Sequence, residues 1–422
     1  MQIRAVVLAA GKGSRMNSPL PKVLHEVAGK PMITRLLGTL REARVAASVV
    51  VVGYEAARVR KVAAGKGVRF ALQNPQNGTG HAVLCARKAL VGFRGVLLVL
   101  PGDAPLVRPA TLRRLAAQCL EGAACAVLTL DLVNPHGYGR MVRDRSGQVL
   151  GIVEEANLRP DQRGIREVNS GIYAFRTAAL WPALEAVPWS RARKGREIYL
   201  TDVLAVLNRQ GLPVMGLKAG DADEAVGINT LSERAYADAL MRRRILEGLM
   251  DSGVAVMDPS TTFIETEVPI GAGTVIHPFT VIRRDVRIGR DCHVGPFAHL
   301  REGTVLDDGA EIGDFVETKK ARLGSRAKAK HLAYLGDVTI GRRVNIGAGT
   351  IVANYDGKAK HHTTIKDGAF VGSGTVLVAP VTVGRGATTG AGSVVTRGHD
   401  VADGDVVVGV PARPLKARKR PR

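Results

Sequence analysis

The sequence is short of aromatic residues, which make up 4% of its 422 positions. Its cores must therefore be built from Val, Ile, Leu and Ala, a palette that suits parallel sheets and solenoids in which small branched side chains stack. Long apolar runs are missing too: nothing approaches the roughly 20 residues that span a bilayer. The opening MQIRAVVLAAGKGS offers only residues 5–10 as an apolar run. That is too short for a secretory signal and reads as a buried first strand, so a cytoplasmic location is expected. Cysteine is scarce, and Cys85, Cys119, Cys125 and Cys292 form neither a CxxC pair nor a zinc-like spacing. Scattered thiols in a chain of this length fit a reducing compartment. Acidic residues are outnumbered, 38 against 60 Lys and Arg, for a formal net charge of +22. The basic residues are spread along the chain, with one local cluster in the tail KARKRPR (416–422). Without a zinc-finger or RNA-recognition pattern, the excess reads as a solvated surface or a preference for small anionic substrates; neither nucleic acid nor a membrane is expected as a partner.

What is present falls into two regions of different character. Residues 1–230 alternate short branched apolar runs (3–8, 48–52, 96–100 and 126–130) with helical patterns (33–44, 81–90 and 109–119). Such alternation predicts a doubly wound, mostly parallel α/β sheet, which binds ligands at the carboxyl ends of its strands. Residues 231–250, LSERAYADALMRRRILEGLM, read as one charged amphipathic linker helix. Beyond it, in residues 251–422, an apolar residue recurs every six positions. Ile264, Ile270, Ile276, Ile282, Ile288, Val294, Leu300, Leu306 and Ile312 hold one register. The phase then slips, returns at Ile340, Ile346 and Val352, and after a one-residue insertion continues from Ile365 through Val371, Leu377, Val383, Thr389 and Val395 to Val401. A period of six fits neither an α-helix nor a hairpin sheet; it is the mark of a parallel β-helix.

Chemistry-bearing residues sit at telling places. LAAGKGSRM (8–16) puts a glycine-rich loop directly after the first strand. Its backbone N–H groups can approach phosphates, while Lys12, Arg15 and then Lys22 supply positive charge. The loop is neither a Walker A sequence nor a dinucleotide fingerprint, since Met16 stands where the third glycine would be. PGD (101–103) ends another strand, where Asp103 is well placed to hold a divalent cation and too far from the helix at 109 to cap it. QNPQNGTGH (73–81) offers amides and open backbone to the edge of a base, although by itself it would pass for a turn. In the second region, FVETKKARL (315–323) and KHLAYLG (330–336) break the hexad phase, and NYDGKAKHH (354–362) projects from a restored coil. Polar residues that disrupt a strong repeat are candidates for function.

LAAGKGSRM with PKVL, QNPQNGTGHA, GDAPL, GYGR, IVEE, EVNSGI and EAVGIN follow the order found in sugar-1-phosphate nucleotidylyltransferases. With the hexad region added, nearly the whole chain resembles the bifunctional N-acetylglucosamine-1-phosphate uridylyltransferase/glucosamine-1-phosphate acetyltransferase family. The resemblance implies an α/β nucleotidyltransferase domain with a Rossmann-like mixed sheet, followed by a left-handed parallel β-helix. It implies acetyl-CoA-dependent acetylation of glucosamine 1-phosphate, then coupling of N-acetylglucosamine 1-phosphate to UTP with Mg²⁺ as cofactor. It also implies a homotrimer. For the first site it assigns Gly11, Arg15 and Lys22 to the triphosphate, and Gln73, Gln76, Gly78 and Thr79 to uracil and ribose. Asp103 and Asn229 would hold the metal, and Gly139, Glu154, Asn169 and Asn229 would meet the sugar phosphate. For the second site it assigns Arg301, Lys319 and Lys360 to the sugar phosphate, with Tyr334, Asn345 and Tyr355 completing the pocket. His331 would be the general base, oriented by Glu317, with Asn354 and Tyr355 by the reacting acetyl group and Ser373 and Ala391 along coenzyme A. The chain departs from the family pattern in three places. Pro101 precedes the Gly-Asp pair, the β-helix is about one coil short before Arg301, and VGVP (408–411) lacks the arginine that meets coenzyme A. The basic tail is one candidate substitute. A second reading keeps nucleotidyl transfer alone and leaves the β-helix a structural or regulatory part.

Overall fold

The computed structural model describes residues 2–192 and 195–415, and the chain divides into two compact units, residues 1–240 and 241–422. The basic run 416–422 lies outside the described residues.

In the first unit, nine strands among the described residues form one sheet. They are β1 (Ile3–Ala9), β2 (Ala47–Val52), β3 (Val68–Leu72), β4 (Val96–Pro101), β5 (Cys125–Asp131), β6 (Arg140–Arg143), β7 (Val149–Val153), β8 (Glu167–Arg176) and β9 (Val214–Lys218). The order is β9-β5-β8-β4-β1-β2-β3, with β6 and β7 attached beside β8. Strands β1 to β4 run parallel, and β9 runs parallel to β5. β8 runs antiparallel to both β4 and β5, so the sheet is mixed. Its side chains alternate between faces as the pleat requires. Val168, Ile172 and Ala174 join one core, while Tyr173 and Phe175 join the other. Helices α1 (Met32–Glu42), α2 (Ala56–Ala63) and α4 (Pro109–Leu120) cover the first face; α3 (Gly78–Ala86), α5 (Thr177–Glu185) and α6 (Asp202–Arg209) cover the second. Because β2 and β4 lie on opposite sides of β1, the loops leaving β1 and β4 open a crevice at a topological switch point.

Helix α7 (Leu231–Asp251) contains the boundary between the units. It begins with a capping box: Glu233 accepts from Thr230 N, and the Thr230 hydroxyl accepts from Glu233 N at 3.1 Å. Gly248 does not end it. The stop is a Schellman turn at Gly253 (φ 91°), where Val254 N reaches Leu249 O and Gly253 N reaches Met250 O. Leu246, Val254 and Val256 join the apolar column of the second unit.

That unit is a parallel β-helix. Val275 pairs with His293 and His293 with Glu311, a stacking interval of 18 residues, or three hexads per coil. The hexad residues point inward and are buried, Ile270 only partly. Two pairs of inward threonines satisfy each other, Thr304 with Thr318 at 3.0 Å and Thr375 with Thr389 at 2.9 Å.

The structure corrects the expected break between 312 and 340. The coils continue without interruption, each one residue shorter: Val305 pairs with Arg322, Glu311 with Lys328 and Glu317 with Tyr334. The missing residue falls between buried Thr318 and Leu323, and again between Leu335 and Ile340. There the chain runs straight, as continuous strands Glu317–Leu323 and Tyr334–Ile340, where other coils turn a corner between two-residue strands. The following coil is lengthened instead, Val338 pairing with Thr363 and Asn345 with Phe370, and its extra residues make the loop at 354–362.

Candidate functional site

β1 delivers its loop into the crevice of the first unit. Gly13 has φ 69°, and a Cβ there would stand 2.5 Å from Lys22 Cβ, so glycine lets the lysine stem lie against the loop. A Cβ on Gly11 would meet nothing within 4 Å, which leaves the approach to the loop open. Lys22 forms an ion pair with Asp103 and donates to Asn229 Oδ1 at 2.8 Å, while Arg15 donates to the same oxygen at 2.9 Å. Asp103 is buried just beyond β4, and its carbonyl accepts from Ile228 N at 3.2 Å, which brings residue 229 alongside. Asp103 and Asn229 thus meet on the Lys22 ammonium, and Arg15 joins them through the Asn229 oxygen.

Next to them, Gln76 donates to Ala10 O at 2.5 Å and Gln73 to Gly78 O at 2.9 Å. The Thr79 hydroxyl accepts from Leu200 N at 3.0 Å. Gly78 (φ 93°) passes so close to Ile198 that a Cβ would come within 2.5 Å of its carbonyl oxygen. Gly11, Lys22, Gln73, Gln76, Thr79 and Asp103 line a cavity of about 380 Å³. A second cavity of about 860 Å³ shares Leu8, Thr79, Pro101 and Tyr199 with the first, and adds Glu154, Asn169, Thr201 and Asp202. Burial raises the pKa of Glu154; the Thr201 hydroxyl, 3.3 Å from its Oε1, works the other way, and Asp202 adds to the rise. Burial raises the Asp202 carboxyl as well. Asn169 turns its carboxamide oxygen to Gly171 N at 2.9 Å, where β8 kinks between Asn169 and Tyr173. Gly139 stands behind Glu154, where a Cβ would meet Ile152 at 2.8 Å, and it does not line either cavity. Tyr199, Thr201 and Asp202 escaped the sequence reading. Their signal is the polar cluster in IYLTD (198–202), placed against Gly78 and Gly80 by Gly80 N to Ile198 O at 2.8 Å.

In the second unit, the straightened coils place Arg301, Lys319 and Tyr334 on neighbouring turns. His299 pairs with Glu317 and Glu317 with Tyr334. Arg301 donates to Glu317 at 2.7 Å, so that carboxylate is held by an arginine. Lys360, and after it Arg301, lowers the pKa of the Lys319 ammonium. His331 is exposed on the coil below Asp314, with which it pairs, and Tyr334 is half-buried three residues on. Asn345 lies on the next coil, paired with Lys328.

The loop at 354–362 is tied down by Asp356. One of its oxygens accepts from Lys358 N at 2.9 Å and Ala359 N at 2.8 Å. The other meets His361 Nε2 at 2.7 Å and Arg397 at 3.0 Å, and Arg397 also donates to Ala379 O at 3.1 Å. These bonds, the two backbone ones foremost, hold the Asp356 carboxyl far below the usual carboxylate range. Tyr355 pairs with Lys360 across the loop, and buried Asn354 donates to Asp337 at 2.5 Å. Neither Asp356 nor Arg397, 41 residues away, was singled out from the sequence, because only the coil stacking brings them together. Ser373 and Ala391 sit on successive coils, with Gly392 N donating to Ser373 O at 2.7 Å. Val408 lies opposite Arg413 in an antiparallel pair, so the two side chains share a face.

A model of the MobA-like NTP transferase domain matches residues 5–199, and the bacterial transferase hexapeptide repeat matches residues 267–302 and 362–397. The bifunctional protein GlmU of Syntrophotalea carbinolica is 48% identical over 431 residues, covering 94% of this chain and 92% of its own length. That of Pelobacter propionicus is 45% identical, covering 96% and 95%. That of Brevibacillus brevis is 42% identical, covering 96% and 95%.

Proposed function

This chain belongs to the family of bifunctional GlmU proteins, and from that premise we propose how each half of it works. It is an enzyme of UDP-N-acetylglucosamine synthesis with two activities. One moves acetyl from acetyl-CoA to the amine of glucosamine 1-phosphate. The other moves uridylyl from UTP to N-acetylglucosamine 1-phosphate, releasing pyrophosphate.

For uridylyl transfer, the reading rests on the meeting of Arg15, Lys22, Asp103 and Asn229 at the switch point. A phosphate oxygen of the sugar attacks the α-phosphorus in line and pyrophosphate leaves, so positioning and charge neutralisation do the work. The loop at Gly11, with Arg15 and Lys22, takes the triphosphate. Gln73, Gln76, Gly78 and Thr79 hold uracil and ribose, and Glu154 and Asn169, with Gly139 behind them, hold the sugar. Asp103 and Asn229 would hold Mg²⁺. Both offer hard oxygen donors, and both already converge on a cation, the Lys22 ammonium. When bound, the ion would supply charge neutralisation to the phosphates.

For acetyl transfer, the reading rests on the stacked coils that set Arg301, Lys319 and Tyr334 on neighbouring turns, with Lys360 disfavouring the charge on Lys319, a cluster that a phosphate dianion relieves. His331 takes a proton from the amine as its nitrogen attacks the thioester carbonyl; the C–S bond breaks and the thiolate leaves to be protonated. Tyr334, Asn345 and Tyr355 shape the sugar pocket, Asn354 holds the amide region, and Ser373 and Ala391 line coenzyme A. Arg413, across from Val408, stands in for the missing arginine. A homotrimer is supported by an exposed ridge beside His331. Phe279, Phe297 and Phe315 stack at 4.8 and 5.0 Å, and exposed Leu332 extends the ridge. A cytoplasmic setting agrees with four free thiols. Val408 favours the second reading, in which only the nucleotidyl half acts.

The test is pyrophosphate release from UTP with and without N-acetylglucosamine 1-phosphate, before and after chelation of divalent cations. Release should need both sugar phosphate and metal, while acetyl transfer should ignore the chelator. Release that is indifferent to the sugar phosphate would overturn the assignment.

A further inference from the structure

A cavity of about 780 Å³ opens at the amino-terminal edge of the sheet in the first unit. It lies at the start of β4, about 17 Å along that strand from Pro101 and the crevice. β8 runs the other way, with Asn169 near the crevice and Arg176 at this cavity. Phe93 and Trp181 supply apolar wall, and Arg87, Arg94 and Arg176 line it; among the described lining residues there is no carboxylate. Arg87 is paired with Glu185 and lies 5.5 Å from the Trp181 ring. Arg176 Nε is buried without a hydrogen-bond partner, as is Nε of Arg4, whose guanidinium covers Phe93 at 4.5 Å. The rim is firmly built: the Thr177 hydroxyl accepts from Gly95 N at 3.1 Å, and Thr177 N donates to Gly95 O at 3.0 Å.

A buried guanidinium nitrogen without an acceptor is costly, and Arg94 and Arg176, which line an aromatic-walled cavity whose described lining offers them no carboxylate, are suited to a planar anion. We infer that this cavity is a second ligand site, separate from the nucleotide crevice, for a small anion carrying an apolar or aromatic group. The anionic end meets Arg94 and Arg176, and the planar end lies against Trp181 and Phe93. Neither half suffices alone, because the lining combines the apolar faces of Phe93 and Trp181 with the cations of Arg94 and Arg176.

The chain has two tryptophans, so Trp189→Phe leaves Trp181 as the single reporter in the full-length protein. Phenyl phosphate should quench its fluorescence saturably, with inorganic phosphate and phenol each at least ~10-fold weaker, the loss expected when one of two linked contacts is removed. Arg94→Ala, at an exposed position, should weaken the quench ~10-fold or more without changing the melting temperature. Arg176→Gln should do the same, whereas Lys22→Ala in the crevice should leave the quench intact. A quench that is non-saturable, or equal in Arg94→Ala, or abolished by Lys22→Ala, would overturn the proposal.

Discussion

The two halves of this chain gather charged side chains from opposite kinds of sequence. In the first unit, Arg15, Lys22, Asp103 and Asn229 are gathered from loops up to 214 residues apart. In the second, Arg301, Lys319 and His331 lie within two coils, and the stacking intervals of 17, 18 and 25 residues set their neighbours. A doubly wound sheet brings distant loops together at one edge. A β-helix can only place residues on adjacent turns, so it makes room for chemistry by changing the length of a turn. The one-residue deletions and the projecting loop at 354–362 are that change.

The comparison breaks most sharply by disabling one half at a time. His331→Ala should lower acetyl transfer by ~10²–10⁴-fold, the usual worth of a general base, and leave uridylyl transfer unchanged. Lys22→Ala should do the reverse, lowering uridylyl transfer by ~10²–10³-fold, as for removal of one preorganised charge. Paired loss of both activities in either variant would show the halves to be interdependent. A smaller effect should follow from Asp356→Asn, which weakens the bond to His361 inside the loop carrying Tyr355 and Lys360 and the bond to Arg397 outside it. KM for glucosamine 1-phosphate should rise about tenfold, equivalent to about 1.4 kcal/mol, with kcat nearly preserved. Arg397→Lys should rescue more of it than Arg397→Ala. Arg413→Ala should raise KM for acetyl-CoA only ~2–5-fold, because an exposed charge contributes little.

The pH dependence sharpens the picture further. Lys360 and Arg301 disfavour the charged form of Lys319, so its proton is lost earlier on the alkaline side than from an ordinary lysine. If Lys319 binds the sugar phosphate as proposed, binding needs that proton, so KM for glucosamine 1-phosphate should climb below the usual lysine range. Lys360→Met weakens binding overall, yet it removes the leading cause of the shift. The alkaline limb should therefore move to higher pH, and a limb that stays in place would show that Lys319 does not carry it.

Much of this was legible in the residues. The branched runs marked β1, β2, β4 and β5, and the hexads marked the β-helix, because both depend on local pattern. β8 was not foreseen as antiparallel: its apolar run from Ile172 to Phe175 reads the same in either direction. The continuity of the coils between 312 and 340 was hidden for a different reason. The inward residues there include Thr318 and Ala329, which are buried without being conspicuously apolar. Candidate residues for both sites could be named from their motifs, whereas Tyr199, Thr201, Asp202, Asp356 and Arg397 could not. Each of these acquires its partner only through tertiary stacking.

The central claim is that the lengthened and straightened coils make the β-helix an enzyme despite Val408. Coenzyme A release from acetyl-CoA by the purified protein, with and without glucosamine 1-phosphate, tests it most directly. Release that depends on the sugar is the predicted result. No release, with UTP-dependent pyrophosphate formation intact in the same preparation, would contradict it and leave a uridylyltransferase carrying an inactive β-helix.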